Sequence, residues 1–144
     1  VAFGYYLQGG AMPPFVGWMT VPIGLTIFNV ILLNEFPDYP ADRAAGKANL
    51  AVRMGRKRAS RLYGLVSLSG VMAVLLSIRQ GAPREALYIH LPVLLLSLIL
   101  AVQVLRGRWQ ERAALDRLCA GTIAVNLGTT AAYILGFWAV GLHG

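Results

Sequence analysis

The sequence predicts an all-α, polytopic membrane helical bundle, and three observations carry that prediction. The first is composition. Of 144 residues, 57% are hydrophobic and only 13% are charged, whereas a soluble domain carries roughly a quarter charged residues. The mean hydropathy of +0.61 leaves too few charges to cover a water-facing surface. It also excludes disorder. The second observation is the placement of the charge-free runs, over residues 1–34, 62–78, 86–105 and 118–144. A helix needs about 17–25 apolar residues to cross a bilayer. The third is the alternation of loop charge. Eleven of the 13 basic residues lie between the first and second spans or between the third and fourth. Only Arg79 and Arg84 lie in the intervening loop. This asymmetry predicts that the basic side is cytoplasmic. It accounts for the net charge of +7 without any nucleic-acid partner.

The opening run is long enough for more than one helix. Gly9-Gly10 and Pro13-Pro14 break it, so residues 1–7 read as the tail of an earlier helix and 14–33 as the first complete span. Spans over 62–78, 86–105 and 118–140 follow, with a loop over 34–61. The chain starts at Val1 without a basic n-region or a cleavage signature, so it is no signal peptide. It reads as a chain that has lost its beginning. Trp18, Tyr88 and Trp138 are expected at one membrane interface, and Tyr63 and Trp109 at the other. In the last span Ala120, Ala124, Gly128, Ala132 and Gly136 recur every four residues, a small-residue stripe suited to close helix packing. Ser67, Ser69, Ser77 and Ser97 read as packing hydroxyls, and His90 as a packed or interfacial imidazole. His143 carries no signal. The single cysteine, Cys119, excludes a disulfide scaffold.

One segment looks chemical. Glu35, Asp38 and Asp42 fall within eight residues at the end of the first complete span. Asn34, Asp38 and Asp42 are four apart and would line one face of a continuous helix, each step rising about 6 Å. Pro37 and Pro40 disfavour helical geometry in the residues before them, so a kink or a helix end is expected here. Two neighbouring aspartates repel, and a divalent cation relieves the repulsion. Mg²⁺ takes a few carboxylates and completes its shell with water and phosphate oxygens. Arg43, Lys47 and Arg53 follow at once, a reasonable way to hold metal and diphosphate together. The bland alternative is a helix cap with solvated charge pairs. The basic residues of 53–61 also serve as a topology signal or a contact to anionic lipid.

The whole run Asp38-x-x-x-Asp42-x-x-x-Gly46-Lys47-x-x-Leu50-Ala51-Val52-Arg53-x-Gly55 resembles the second aspartate-rich motif of the UbiA-type intramembrane prenyltransferases. The resemblance implies a nine-helix bundle around a central cavity, of which residues 1–144 would be the C-terminal half: the end of helix five and helices six to nine. It implies that Asp38 and Asp42 are the catalytic, Mg²⁺-holding residues, with Asn34 in support. Lys47 would contact the diphosphate, with Arg43 and Arg53 beside it. Pro37, Tyr39 and Pro40 depart from the commonest form of the motif but leave the acidic spacing intact. No first aspartate-rich motif is present, so half of the implied site is missing and the fragment is expected to be inactive alone.

The implied reaction is Mg²⁺-dependent transfer of an isoprenyl group from a polyprenyl diphosphate to an aromatic acceptor in the lipid bilayer. The form of the motif favours the menaquinone branch and 1,4-dihydroxy-2-naphthoate as acceptor. Chlorophyll, tocopherol and archaeal lipid branches stay open. The implied partners are the two substrates, the bilayer and the missing N-terminal half of the same protein. The expected setting is a bacterial or archaeal cell membrane. Two other readings compete. A CDP-alcohol phosphotransferase would need D-G and A-R pairs ahead of its final aspartates, and neither is in place. A non-catalytic bundle that packs or channels lipid would be indifferent to loss of Asp38 and Asp42.

Overall fold

The computed structural model describes residues 13–141 together with Tyr6, Leu7 and Gly9. The expected helix tail over residues 1–7, apart from Tyr6 and Leu7, lies outside the described residues, as does His143. The described chain is helical, with no strand. Its long helices are α1 (Pro14–Ala44), α3 (Arg56–Arg79), α4 (Arg84–Leu105) and α5 (Arg112–Gly141). A short helix, α2 (Leu50–Met54), joins α1 to α3, and a 3-10 turn at Arg108–Gln110 joins α4 to α5. All four long helices are long and apolar enough to cross a membrane.

α1 packs against α3 and α5, and α4 also packs against α3 and α5, so the helices close into an up-and-down ring. This order gathers the C-terminal ends of α1 and α4 with the starts of α3 and α5. The eleven clustered basic residues therefore share one end of the bundle. Trp18, Tyr88 and Trp138 are exposed.

α1 starts with Pro14 at its first turn, where a missing N–H costs nothing. It then runs through Pro22, Pro37 and Pro40 without ending. This corrects the loop expected from residue 34: the helix continues to Ala44. A proline removes one backbone hydrogen bond and frees the carbonyl four residues earlier. Membrane helices tolerate this when a neighbour takes the freed group. Pro37 frees the carbonyl of Leu33, and Cys119 Sγ on α5 approaches that oxygen at 3.8 Å. At 31 residues α1 is about 46 Å long, well beyond the roughly 30 Å of a hydrocarbon core. The turns from Asn34 onward stand clear of it when residues 14–33 fill the span.

The interior is closely packed at the motif end by Leu32, Leu33 and Phe36 of α1, Tyr63 of α3, Leu100 and Val104 of α4, and Leu115 and Leu118 of α5. Apolar burial drives helices together little inside lipid, where packing and interhelical hydrogen bonds do more. Tyr63 Oη and Thr122 Oγ1 lie 2.7 Å apart, and Ser77 Oγ and Tyr133 Oη also 2.7 Å apart. Asn29 Nδ2 donates to Ser67 Oγ at 2.9 Å, and Asn126 Nδ2 to Thr26 Oγ1 at 3.0 Å. The His90 ring packs edge-on to Tyr133 at 4.5 Å. Tyr63 is thus no interfacial anchor. α3 begins at Arg56, which places Tyr63 two turns inside the helix and buried. Ser67, Ser77 and Ser97 are buried, whereas Ser69 is exposed.

The small-residue stripe is also redrawn. Ala132 and Gly136 are buried, but Ala120 and Ala124 face outward. A four-residue repeat drifts about 40° per step, so sixteen residues carry it about 160° around the helix. Gly121 replaces them in the contact: a Cβ there would meet Leu100 Cδ2 at 2.9 Å, and one at Gly128 would meet Val93 Cγ2 at 2.9 Å. At Gly136 it would meet the Cα of Ala86 at 2.6 Å. α4 and α5 therefore approach backbone to backbone at that level.

Candidate functional site

The acidic face belongs to one continuous helix, so Asn34, Asp38 and Asp42 rise along α1 as their spacing requires. Successive steps drift about 40°, and exposure changes with them: Asn34 and Asp38 are exposed, while Asp42 is turned inward and 8% exposed.

The end of α1 explains the spacing of the motif. The N–H of Lys47 bonds the carbonyl of Asp42 at 2.9 Å, and the N–H of Gly46 bonds that of Arg43 at 3.3 Å. This pair of bonds is the Schellman ending, which calls for a left-handed residue just past the helix. Gly46, at φ +69°, fills that position. Aspartate, then glycine four residues on, then lysine, is therefore a helix terminus written in sequence. It folds the chain back so that Lys47 Nζ reaches Asp42 Oδ1 at 2.6 Å. Asp42 holds the Lys47 ammonium above the usual lysine range, by hydrogen bond and by charge, and Asp38 acts in the same direction.

The other Asp42 oxygen is also engaged. Asn49 Nδ2 donates to Asp42 Oδ2 at 2.8 Å. The Oδ1 of the same Asn49 caps α2 by accepting the N–H of Val52 at 2.9 Å. Glu35 Oε2 accepts the N–H of Ala51 at 2.7 Å. α2 presents Ala51 to the core, fully buried, and Arg53 to the outside. Beyond it, the Arg56 guanidinium sits between two rings, 4.9 Å from the centroid of Tyr39 and 5.0 Å from that of Trp109. Trp109 stands edge-on to Phe36 at 5.6 Å. Trp109, in the turn between α4 and α5, is therefore half-buried in a clamp.

The structure thus brings Asp42 and Lys47 into contact and places Asp38 within electrostatic reach of Lys47. Asn34, Arg43 and Arg53 are exposed and make no side-chain hydrogen bond or ion pair among the described residues. Nor do three His, Cys, Asp or Glu side chains converge there on a common metal position. Glu35 was noticed only as the third carboxylate of the segment, with no role assigned, and Asn49 and Arg56 were not singled out by the sequence. Asn49 alone left a local signal, as a favoured N-cap residue ahead of an apolar turn.

The sequence profile of the UbiA prenyltransferase family matches residues 1–120. The chain belongs to that family. Its four membrane-length helices and its family together make it an integral membrane protein of the intramembrane prenyltransferase type. Comparison with curated proteins and with solved structures gave no match. Within the UbiA frame, the match spans α1 to α4 and the start of α5, and so includes the whole acidic and basic segment just described.

Proposed function

We propose that this chain supplies the diphosphate-binding wall of a Mg²⁺-dependent transferase that moves an isoprenyl group from a polyprenyl diphosphate to an aromatic acceptor. The observation that carries the reading is the helix ending that joins Asp42 to Lys47 while Asp38 stays exposed one turn away. Mg²⁺ is normally held by one or two carboxylates plus substrate phosphates rather than by an all-protein cage. Asp38 and Asp42, one turn apart, fit that donor set, with Asn34 as a supporting oxygen. When bound, the metal neutralises charge on the departing diphosphate.

The protein groups do the remaining work. Lys47, on an exposed side chain, can leave Asp42 for a phosphate oxygen without crossing the core. Arg43 and Arg53, unpaired and exposed, add positive charge near the same face. Together they stabilise the leaving group as the allylic carbon gains positive character. The apolar surface of α1 above Asn34, including Ile31 and Ile27, keeps water from that carbon. On this reading the motif end is cytoplasmic, as its excess of basic residues favours. The first aspartate-rich motif of the family would come from residues outside this sequence. The form of the motif supports a quinone-pathway acceptor such as 1,4-dihydroxy-2-naphthoate.

The test is prenyl transfer by the full-length protein in lipid, with a panel of aromatic acceptors and with Mg²⁺ present or chelated. Transfer that requires Mg²⁺ and is lost with Asp38→Ala supports the reading. Transfer that is indifferent to both removes it.

A further inference from the structure

We propose that Glu35 is a positioning residue that tethers α2 to the acidic face, and not a ligand of metal or diphosphate. This rests on the reading of Asp38 and Asp42 given above. Glu35 is the third carboxylate of the segment, and by proximity alone it would be counted with the other two. Helical geometry places it about 20° from Asp42 and about 60° from Asp38 around α1. Its carboxylate is turned to the start of α2, where Oε2 accepts the Ala51 N–H at 2.7 Å.

That N–H belongs to the first turn of α2, whose amides have no partner within so short a helix. Glu35 takes one of them. Asn49 takes two more, Val52 N–H through its side chain and Arg53 N–H through its own carbonyl at 3.0 Å. Asn49 also ties back to Asp42. α2 is therefore fastened to α1 at two points, Glu35–Ala51 and Asp42–Asn49, seven residues or about 10 Å apart along the helix. One point alone would be a pivot, and two fix an orientation. The oriented element carries Arg53 on its outer side, and the loop that it closes carries Lys47. A charge-assisted bond from a carboxylate to a backbone N–H is among the stronger hydrogen bonds. Loss of such a partner changes what the fastened groups can do, not only how well the chain folds.

Two variants of the full-length protein separate the roles. Glu35→Gln removes the charge but still offers a carbonyl oxygen to Ala51. Glu35→Asp keeps the charge but is too short to reach. Three readouts are taken: hydrogen exchange of the 50–54 amides, Mn²⁺ binding without substrate, and the KM for the prenyl diphosphate. The tether predicts that Glu35→Asp raises exchange at Ala51 about tenfold and KM about tenfold. It predicts that Glu35→Gln stays within about twofold of the parent in both, and that neither variant weakens Mn²⁺ as Asp38→Asn does.

The proposal is overturned if Glu35→Gln loses Mn²⁺ affinity while Glu35→Asp keeps it, which would make Glu35 a ligand. It is also overturned if Glu35→Asp leaves Ala51 exchange unchanged, or if it speeds exchange while leaving KM at the parental value. Failure of the wider functional reading looks different. Asp38→Asn would then retain Mn²⁺ binding and transfer, whatever the exchange at Ala51.

Discussion

Lys47 Nζ lies 2.6 Å from Asp42 Oδ1, and the backbone of the same lysine is bonded to the carbonyl of the same aspartate. One residue is thus held by another through both main chain and side chain. The main-chain bond makes the helix ending, and the ending sets the side-chain contact. The two have different consequences when Lys47 is changed. The lysine side chain is 66% exposed, and exposed ion pairs contribute little to stability. Lys47→Gln keeps the backbone cap. It is expected to leave the thermal midpoint unchanged in a detergent melt while raising the KM for the prenyl diphosphate. Gly46→Val, which strains the left-handed position, is expected to lower the midpoint and to raise the KM.

The same pair predicts a pH response. Asp42 raises the Lys47 pKa, so the charged pair is complete below the ordinary lysine value and is lost only as pH rises through the raised one. Diphosphate affinity assigned to Lys47 should therefore be flat from neutrality up to the ordinary lysine range and fall only above it. Binding measured against pH, parent beside Lys47→Gln, checks this. A fall near pH 8 shared by both proteins would point to another group.

Asp38→Ala and Asp42→Ala are each expected to reduce Mg²⁺-dependent transfer by about a hundredfold. They should differ in stability. Asp38 is exposed and makes no hydrogen bond among the described residues, so Asp38→Ala should unfold as the parent does. Asp42 is buried with both oxygens engaged, so Asp42→Ala should also loosen the loop from 45 to 49. A protein that lacks both aspartates and still transfers prenyl groups would remove them from the proposed machinery.

Close approach at Gly136 gives a packing prediction with an internal control. Gly136→Leu must push α5 away from the Ala86 backbone, and overpacking of that kind costs about 1–3 kcal/mol. Ala120→Leu, on the outward face of the same helix, should change stability by less than about 0.5 kcal/mol. Reversible unfolding in mixed micelles measures both.

The Tyr63–Thr122 bond joins α3 to α5. A double-mutant cycle with Tyr63→Phe and Thr122→Val should give a coupling of about 0.6 kcal/mol, the usual size for such bonds within membranes. A coupling near zero would mean that packing alone holds this pair of helices.

Much of the fold was legible because the bilayer demands long apolar helices and tolerates few charges. The expected spans 14–33, 62–78, 86–105 and 118–140 fell inside the four long helices, and eleven of the 13 basic residues gathered at one end. The misreadings share one cause: a membrane neighbour satisfies what a local rule leaves open. Pro37 and Pro40 looked like a kink or a helix end, and α1 passes through them without ending, with Cys119 beside the freed Leu33 carbonyl. Tyr63 looked like an interfacial anchor and proved to be half of a buried interhelical bond. At the site, Asp38, Asp42 and Lys47 were visible by spacing. The use of Glu35 was not, because it acts on a backbone N–H that leaves no mark in a sequence, and the reach of Asn49 back to Asp42 depends on the fold.

The ring of four helices is filled at the motif end. Leu33, Phe36 and Tyr63 occupy the space between the helices there, and Asn34 and Asp38 look outward from it. On the proposed reading, chemistry at these residues would take place against the flank of the ring, not inside it. On that reading an isoprenyl tail extending from a diphosphate at Asp38 would run along the outward face of α1, past Ile31, Ile27 and Gly24. These helices would then form one bank of the tail's path rather than a closed barrel around it.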